Sequence, residues 1–152
     1  MNKIKKSYGI KNDQNLKLLI ALTRSTQMIH KRSGQIFEQG GLTIAQFSVL
    51  ETLYHKGDMT IGEIMKSILS TPGNMTVVIK NLEKEKLITK CSDIKDKRAT
   101  MIKITKKGET LVEKIFPKHI EDLRDLLSVL TDEEKEKMIF LLKKLKPRND
   151  VK

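Results

Sequence analysis

TIGEIMKSILSTPGNMTVVIKNLEKEKLITKCSDIKDKRATMIKIT, residues 60–105, is the stretch that decides the fold. Thr60 and Glu63 stand at capping-box spacing, and Ile61, Ile64 and Ile68 then mark a short helix that hardly extends past Leu69. Ser70 and Thr71 are good N-cap residues and Pro72 suits a first helical turn, so a second helix starts there and runs to about Glu85. A tight turn therefore separates two helices. Beyond them, Leu87 to Lys90 and Thr100 to Ile104 are short β-prone runs, the latter alternating Ile102 and Ile104 with an outward Lys103. The nine residues between the runs are polar and charged, which predicts a hairpin with a long loop, a wing.

Working outward, apolar residues recur from Asp13 to Gln39 without a proline, which predicts one long helix whose apolar face is broken by Thr23, Arg24, Gln27 and His30. Gly40-Gly41 stops it, and Thr43 with Gln46 opens a helix that ends at Gly57. After the wing, helical spacing returns from Lys106 through Leu130, with Pro117 as an expected kink. Thr131 and Glu134 open a last helix carrying Met138, Ile139, Leu142 and Leu145, ended by Pro147. The first dozen residues and the last five read as disordered. The expected class is mainly α with a small β-hairpin wing, in one domain: a winged helix-turn-helix over residues 43–105, flanked by helical segments at 13–39 and 106–146.

Composition bounds the function. The 152 residues carry 30 Lys and Arg against 19 Asp and Glu, a net charge of +11 that calls for a polyanionic partner such as nucleic acid or an anionic membrane. No apolar run approaches the ~18–20 residues of a membrane span, and no apolar segment follows the early lysines. A cytoplasmic location is expected, with no membrane partner. A lone Cys91 excludes internal disulfides and multi-cysteine metal clusters. The charge is local: residues 80–107 hold ten basic and four acidic side chains, whereas acidic residues outnumber basic ones over 109–136.

A B-DNA major groove admits an α-helix, and the helix starting near Pro72 is placed to enter one. Met75, Val78, Ile79 and Leu82 are spaced to face a core, leaving Gly73, Asn74, Thr76, Val77, Lys80 and Asn81 on or near the outer face. Asn74 suits an adenine edge, Thr76 or Val77 a thymine methyl, and Lys80 a phosphate or guanine. Ser70, Thr71 and the free N–H groups of the helix start suit a phosphate. In the wing, Lys95, Asp96, Lys97 and Arg98 form the tip; Arg98 fits a narrow minor groove, and Asp96 can brace it through a bidentate ion pair.

In its order of motifs the chain resembles the MarR family of bacterial transcriptional regulators. The resemblance runs over about residues 13–146 and rests on Gly41-Leu42-Thr43 with Gln46-Phe47, Thr60-Ile61-Gly62-Glu63-Ile64, Leu69 through Thr76, Leu82 through Ile88, the wing Asp93 through Ala99, and Ile104 through Gly108. It implies a homodimer with interlocking N- and C-terminal helices, paired winged helices on a pseudo-palindrome of double-stranded DNA, and usually repression relieved by a small-molecule effector. By motif match, Ser70, Thr71, Asn74, Thr76 and Lys80 would read the major groove and Arg98 with Asp96 would form the wing tip. The terminal helices also carry more apolar face than one winged helix covers, which a two-fold partner would bury. Two positions depart from the pattern: Val77 stands where many members have arginine, and Lys86 where many have glycine. A lysine there would occupy a left-handed turn at some cost.

The regulatory signal is less legible. Cys91 lies at the wing base, not in the first helix where the family's peroxide-sensing cysteine lies, and reads as a partly buried small residue. His30, His55 and His119 fall on three helices without metal-ligand spacing and read as surface or interface residues, so no metal or cofactor is expected. Arg24 and His30, beside the polar break of the first helix, are the candidate effector contacts. Rival readings are a sequence-tolerant architectural DNA- or RNA-binding protein and a winged helix used for protein interaction. An enzyme fits least: there is no Gly-rich phosphate loop, no HExxH and no nucleophile in a recognisable motif.

Overall fold

The computed structural model describes residues 6–68, 72–92 and 100–145. In chain order the elements are α1 (Ile10–Gln39), α2 (Ile44–Lys56), β1 (Met59–Thr60), α3 (Ile61–Ile68), α4 (Pro72–Lys84), β2 (Ile88–Ser92), β3 (Thr100–Ile104), α5 (Lys106–Leu126) and α6 (Asp132–Lys143). The strands form one antiparallel sheet in the order β1-β3-β2. The core gathers where α2, α3, α4 and the hairpin meet: Leu50, Ile64, Met75, Leu82 and Ile102 are completely buried. Phe37 and Val112 join α1 and α5 to the same cluster.

Local chemistry explains the helix starts. Thr43 accepts from the Gln46 N–H while the Gln46 side chain accepts from the Thr43 N–H. Thr60 with Glu63, and Thr131 with Glu134, make the same reciprocal pair. α1 begins at Ile10, three residues before Asp13, and so orders part of the segment expected to be disordered. The segment before it is held against the first turn by the Asp13 carboxylate, which accepts from the Ser7 hydroxyl and the Tyr8 N–H. Those bonds also hold its pKa below the ordinary aspartate value, the Ser7 bond most strongly.

Two helices end in the same motif with different residues. In α1 the Leu42 N–H bonds the Phe37 carbonyl and the Gly41 N–H bonds that of Glu38, with Gly41 at φ 80°. In α4 the Leu87 N–H bonds the Leu82 carbonyl and the Lys86 N–H that of Glu83, with Lys86 at φ 59°. Both are Schellman caps, closed by an apolar contact that buries Phe37 with Leu42 and Leu82 with Leu87. Lys86 thus takes the left-handed conformation expected from its position, and among the described residues no other non-glycine has positive φ. Left-handed backbone costs a side-chain-bearing residue about 1 kcal/mol, of which the entropy glycine loses on folding returns part. Lys86→Gly is therefore expected to raise stability by roughly 0.5 kcal/mol and the melting temperature by about 1–2 °C, measured by thermal unfolding at fixed protein concentration.

Two features differ from the sequence expectation. β1 is an additional strand, Met59 facing Ile102 and Thr60 facing Met101 across β3; two residues are too few to show an alternating pattern, so only the pairing defines it. α5, which contains an exposed Pro117, stops at Leu126 rather than near Leu130. A turn follows, in which the Ser128 hydroxyl bonds the Asp125 carbonyl before Thr131 caps α6. Among the described residues no helix is long and apolar enough to cross a membrane.

α1 is 30 residues, about 45 Å long, yet only Ser33 and Phe37 of it are buried. Its C-terminal half is tied to α5 by Arg32, whose Nε and Nη2 reach the Asp122 carboxylate at 3.0 and 2.6 Å while Nη2 also reaches Asp125 at 2.9 Å. The two-pronged approach fixes the helix pair in direction as well as distance. Leu16, Leu19 and Ile20 of α1 remain exposed, and α6 buries nothing against its own chain, leaving Met138, Ile139, Phe140, Leu142 and Leu145 exposed.

Candidate nucleic-acid interface

α4 has two unlike sides. Met75, Val78, Ile79 and Leu82 sit in the core, while Asn74, Thr76, Val77, Lys80 and Asn81 are exposed. The separation follows from the 3.6-residue period, with Val77 and Lys80 nearly opposite the buried stripe. Gly73 lies in the first turn of α4. Ser70 and Thr71 lie outside the described residues, as do Lys95, Asp96, Lys97 and Arg98 at the wing tip.

The wing's two strands pair from Ile88 opposite Ile104 to Ser92 opposite Thr100. Ile88 and Ile102 anchor it to the core, and Thr89, Lys90, Cys91 and Ser92 are exposed. Two ion pairs missed at the sequence level set its attitude. Lys90 meets Glu83 of α4 at 2.6 Å and Lys103 meets Asp58 at 3.9 Å. Both are solvent-exposed, so they orient the hairpin more than they stabilise it. Cys91, expected to be partly buried, is exposed on the outer strand, its Sγ 3.8 Å from the Met101 carbonyl oxygen.

The base of the wing is joined closely to α5. The Thr105 hydroxyl donates to the Lys86 carbonyl, the Thr105 N–H to that of Leu87, and Lys107 Nζ to that of Glu85. Gly108 lies against the Leu87 backbone, where any Cβ would stand 2.4 Å from the carbonyl oxygen. The turn leaving α4 is thus fastened to the start of α5.

A cavity of about 340 Å³ opens between α1, α2 and α5. His30 and Ser33 line it from α1, Ser48 and Glu51 from α2, and Phe116 and His119 from α5. Arg24 is exposed further along α1 and does not line it. His119 is half-buried. Its ring packs against Phe37 and Phe47, with centroids 4.9 and 6.1 Å away, and its Nδ1 is buried without a hydrogen-bond partner among the described residues. Burial pushes the imidazole pKa down, against the pull of Asp122 and Glu51. No sequence pattern marked this histidine, because its partners come from three separate helices. Among the described residues no cluster of three His, Cys, Asp or Glu side chains is placed to hold a metal ion.

A helix-turn-helix whose second helix offers polar side chains to solvent, followed by a hairpin anchored beside it, defines a winged-helix DNA-binding protein. The MarR family model matches residues 42–100. Over most of both chains the protein is similar to the HTH-type transcriptional regulator MhqR of Bacillus subtilis, at 36% identity across 88% of this chain and 92% of that one. The chain belongs to the MarR family of transcriptional regulators. It is also 28% identical to the B. subtilis HTH-type transcriptional repressor MdtR, covering 76% of this chain and 74% of the relative. Among solved structures, the S. aureus MepR–DNA complex superposes with a TM-score of 0.75 at 29% identity, over 83% of this chain and 93% of that one. Bordetella bronchiseptica BpsR, whose DNA binding is regulated by 6-hydroxynicotinic acid, matches at TM-score 0.67 and 26% identity, over 82% and 98%.

Proposed function

We propose that the protein is a homodimeric repressor that holds a pseudo-palindromic operator with α4 in the major groove and the wing at its flank, and that a small effector releases it. The observation that carries this reading is the two-sided character of α4: a buried stripe fixes its attitude while Asn74, Thr76, Val77 and Lys80 are exposed. Ser70, Thr71 and Gly73 would add phosphate and backbone contacts at the helix start. Lys95, Lys97 and Arg98, with Asp96 as brace, would supply the wing's contacts. A DNA-reading role fits a cytoplasmic location.

Dimerisation is supported by apolar side chains left uncovered on the two segments that flank the winged helix. With Leu16, Leu19, Ile139, Phe140 and Leu145 in the open, the chain has an exposed apolar surface that a partner would cover. A second copy related by a two-fold axis covers them and sets two recognition helices one DNA turn, ~34 Å, apart. The effector would occupy the cavity beside His30 and His119, whose volume falls at the small-ligand end of the usual range of about 300–1,000 Å³. The similarity to BpsR, MepR and MdtR supports effector control, DNA binding and repression in that order.

Selection of bound duplexes from a random pool tests the reading. The expected consensus is two-fold symmetric with half-sites about one turn apart, bound at least ~1,000-fold more tightly than random duplex at physiological salt. Equal affinity for every duplex, or for RNA, would instead identify a sequence-tolerant architectural protein. Arg98→Ala is expected to weaken binding to all duplexes and lower the slope of log affinity against log salt by roughly one per lost phosphate contact. An unchanged slope removes Arg98 from the interface.

A further inference from the structure

Val77 is not part of the core. Its side chain is 56% exposed, and its neighbours one turn away along α4 are Gly73, Asn74, Lys80 and Asn81, none of them apolar. A β-branched residue at an exposed helical position lowers helix propensity relative to alanine and gains no burial in return. It sits at the middle of the face opposite Met75, Val78, Ile79 and Leu82, the part of the helix that approaches a groove most closely.

We propose that Val77 is the specificity residue of α4 and selects a 5-methylpyrimidine, thymine in ordinary DNA, by packing its isopropyl group on the base methyl; this rests on the DNA reading above. The isopropyl group neither donates nor accepts a hydrogen bond. On the floor of the major groove the thymine methyl is the one apolar feature, whereas guanine offers N7 and O6 and adenine N7 and N6. Against a purine edge Val77 would strip water from polar atoms and replace none of their hydrogen bonds, so the same side chain rejects as well as selects. Asn74 precedes it by three residues, a rise of about 4.5 Å against 3.4 Å per base pair. The thymine is therefore one or two base pairs from the base that Asn74 reads.

Deoxyuridine scanning isolates the methyl, since it deletes that group and leaves every hydrogen-bonding edge intact. In the selected operator, replacing one symmetric pair of thymines with deoxyuridine is expected to weaken the wild-type protein about fourfold per half-site, about fifteenfold for both. Val77→Ala, which folds normally because the position is exposed, is expected to bind the thymine and deoxyuridine duplexes equally. With the thymine pair changed to cytosine, 5-methylcytosine should bind better than cytosine for wild type alone, which shows that the methyl and not the thymine base is read. A flat uridine scan, or a Val77→Ala protein as sensitive as wild type, overturns the assignment. A chain with no preferred duplex overturns the DNA reading and this assignment with it.

Discussion

Gly108→Ala is expected to destabilise the protein by about 2 kcal/mol and to lower its melting temperature by roughly 4–8 °C. In the first turn of α5 the Gly108 N–H bonds the Thr105 hydroxyl oxygen at 3.1 Å. A Cβ there would come 2.4 Å from the Leu87 carbonyl oxygen and 2.8 Å from Ile104 Cγ1. Ile104 has some freedom to yield, but the Leu87 oxygen is main chain and already accepts the Thr105 N–H at 3.0 Å. Relief requires α5 to lift from the turn after α4, loosening the bonds of Thr105 to Lys86 and Lys107 to Glu85 with it. Overpacking of about 1–3 kcal/mol and a weakened cap of about 1 kcal/mol add to the cost. Helix propensity alone would make alanine better than glycine by about 1 kcal/mol. The sign of the change, read by chemical or thermal unfolding, therefore decides the matter. A stabilised Gly108→Ala protein would mean that α5 and the wing base are not in such close approach.

Asn74→Ala is expected to cost about 1–3 kcal/mol of base discrimination in each half-site, a factor of roughly 5 to 150, with stability unchanged within about 0.5 kcal/mol because the side chain is exposed. Asn74 stands in the first turn of α4, ahead of Val77 and Lys80 on the solvent side. Its amide pairs one acceptor and one donor with the N6 and N7 of adenine, a geometry that alanine cannot imitate. Repeating duplex selection with the variant should give a consensus in which one symmetric position has lost its preference and the others keep theirs. An unaltered consensus would take Asn74 out of the base-reading set. General weakening with every preference intact would make it a phosphate contact.

The two substitutions mark different levels of legibility. Asn74 and its outward neighbours were readable because an α-helix converts spacing into direction, and the buried stripe Met75, Val78, Ile79 and Leu82 is complete in thirteen residues. The left-handed Lys86 was readable through the family resemblance, as a position where many members have glycine. Gly108 was visible only as a residue of the family resemblance; what its missing Cβ makes room for is the backbone of Leu87, twenty-one positions earlier. Arg32 gave no signal, because its partners Asp122 and Asp125 are some ninety residues away. The aromatic surroundings of His119 gave no signal, because Phe37 and Phe47 approach it from two other helices.

The amino-acid sequence by itself determined the order of helices, the capping boxes at Thr43, Thr60 and Thr131, the presence of the hairpin and the outward face of α4. All of these arise from interactions within about one helical turn or across one hairpin, where the chain's own geometry leaves few alternatives. Tertiary structure alone decided the two-residue strand β1, the fastening of α5 to the wing base, the Arg32 fork and the cavity beside His119. Each needs groups far apart in the chain to be brought together by the burial of one shared core, and no local pattern encodes that meeting.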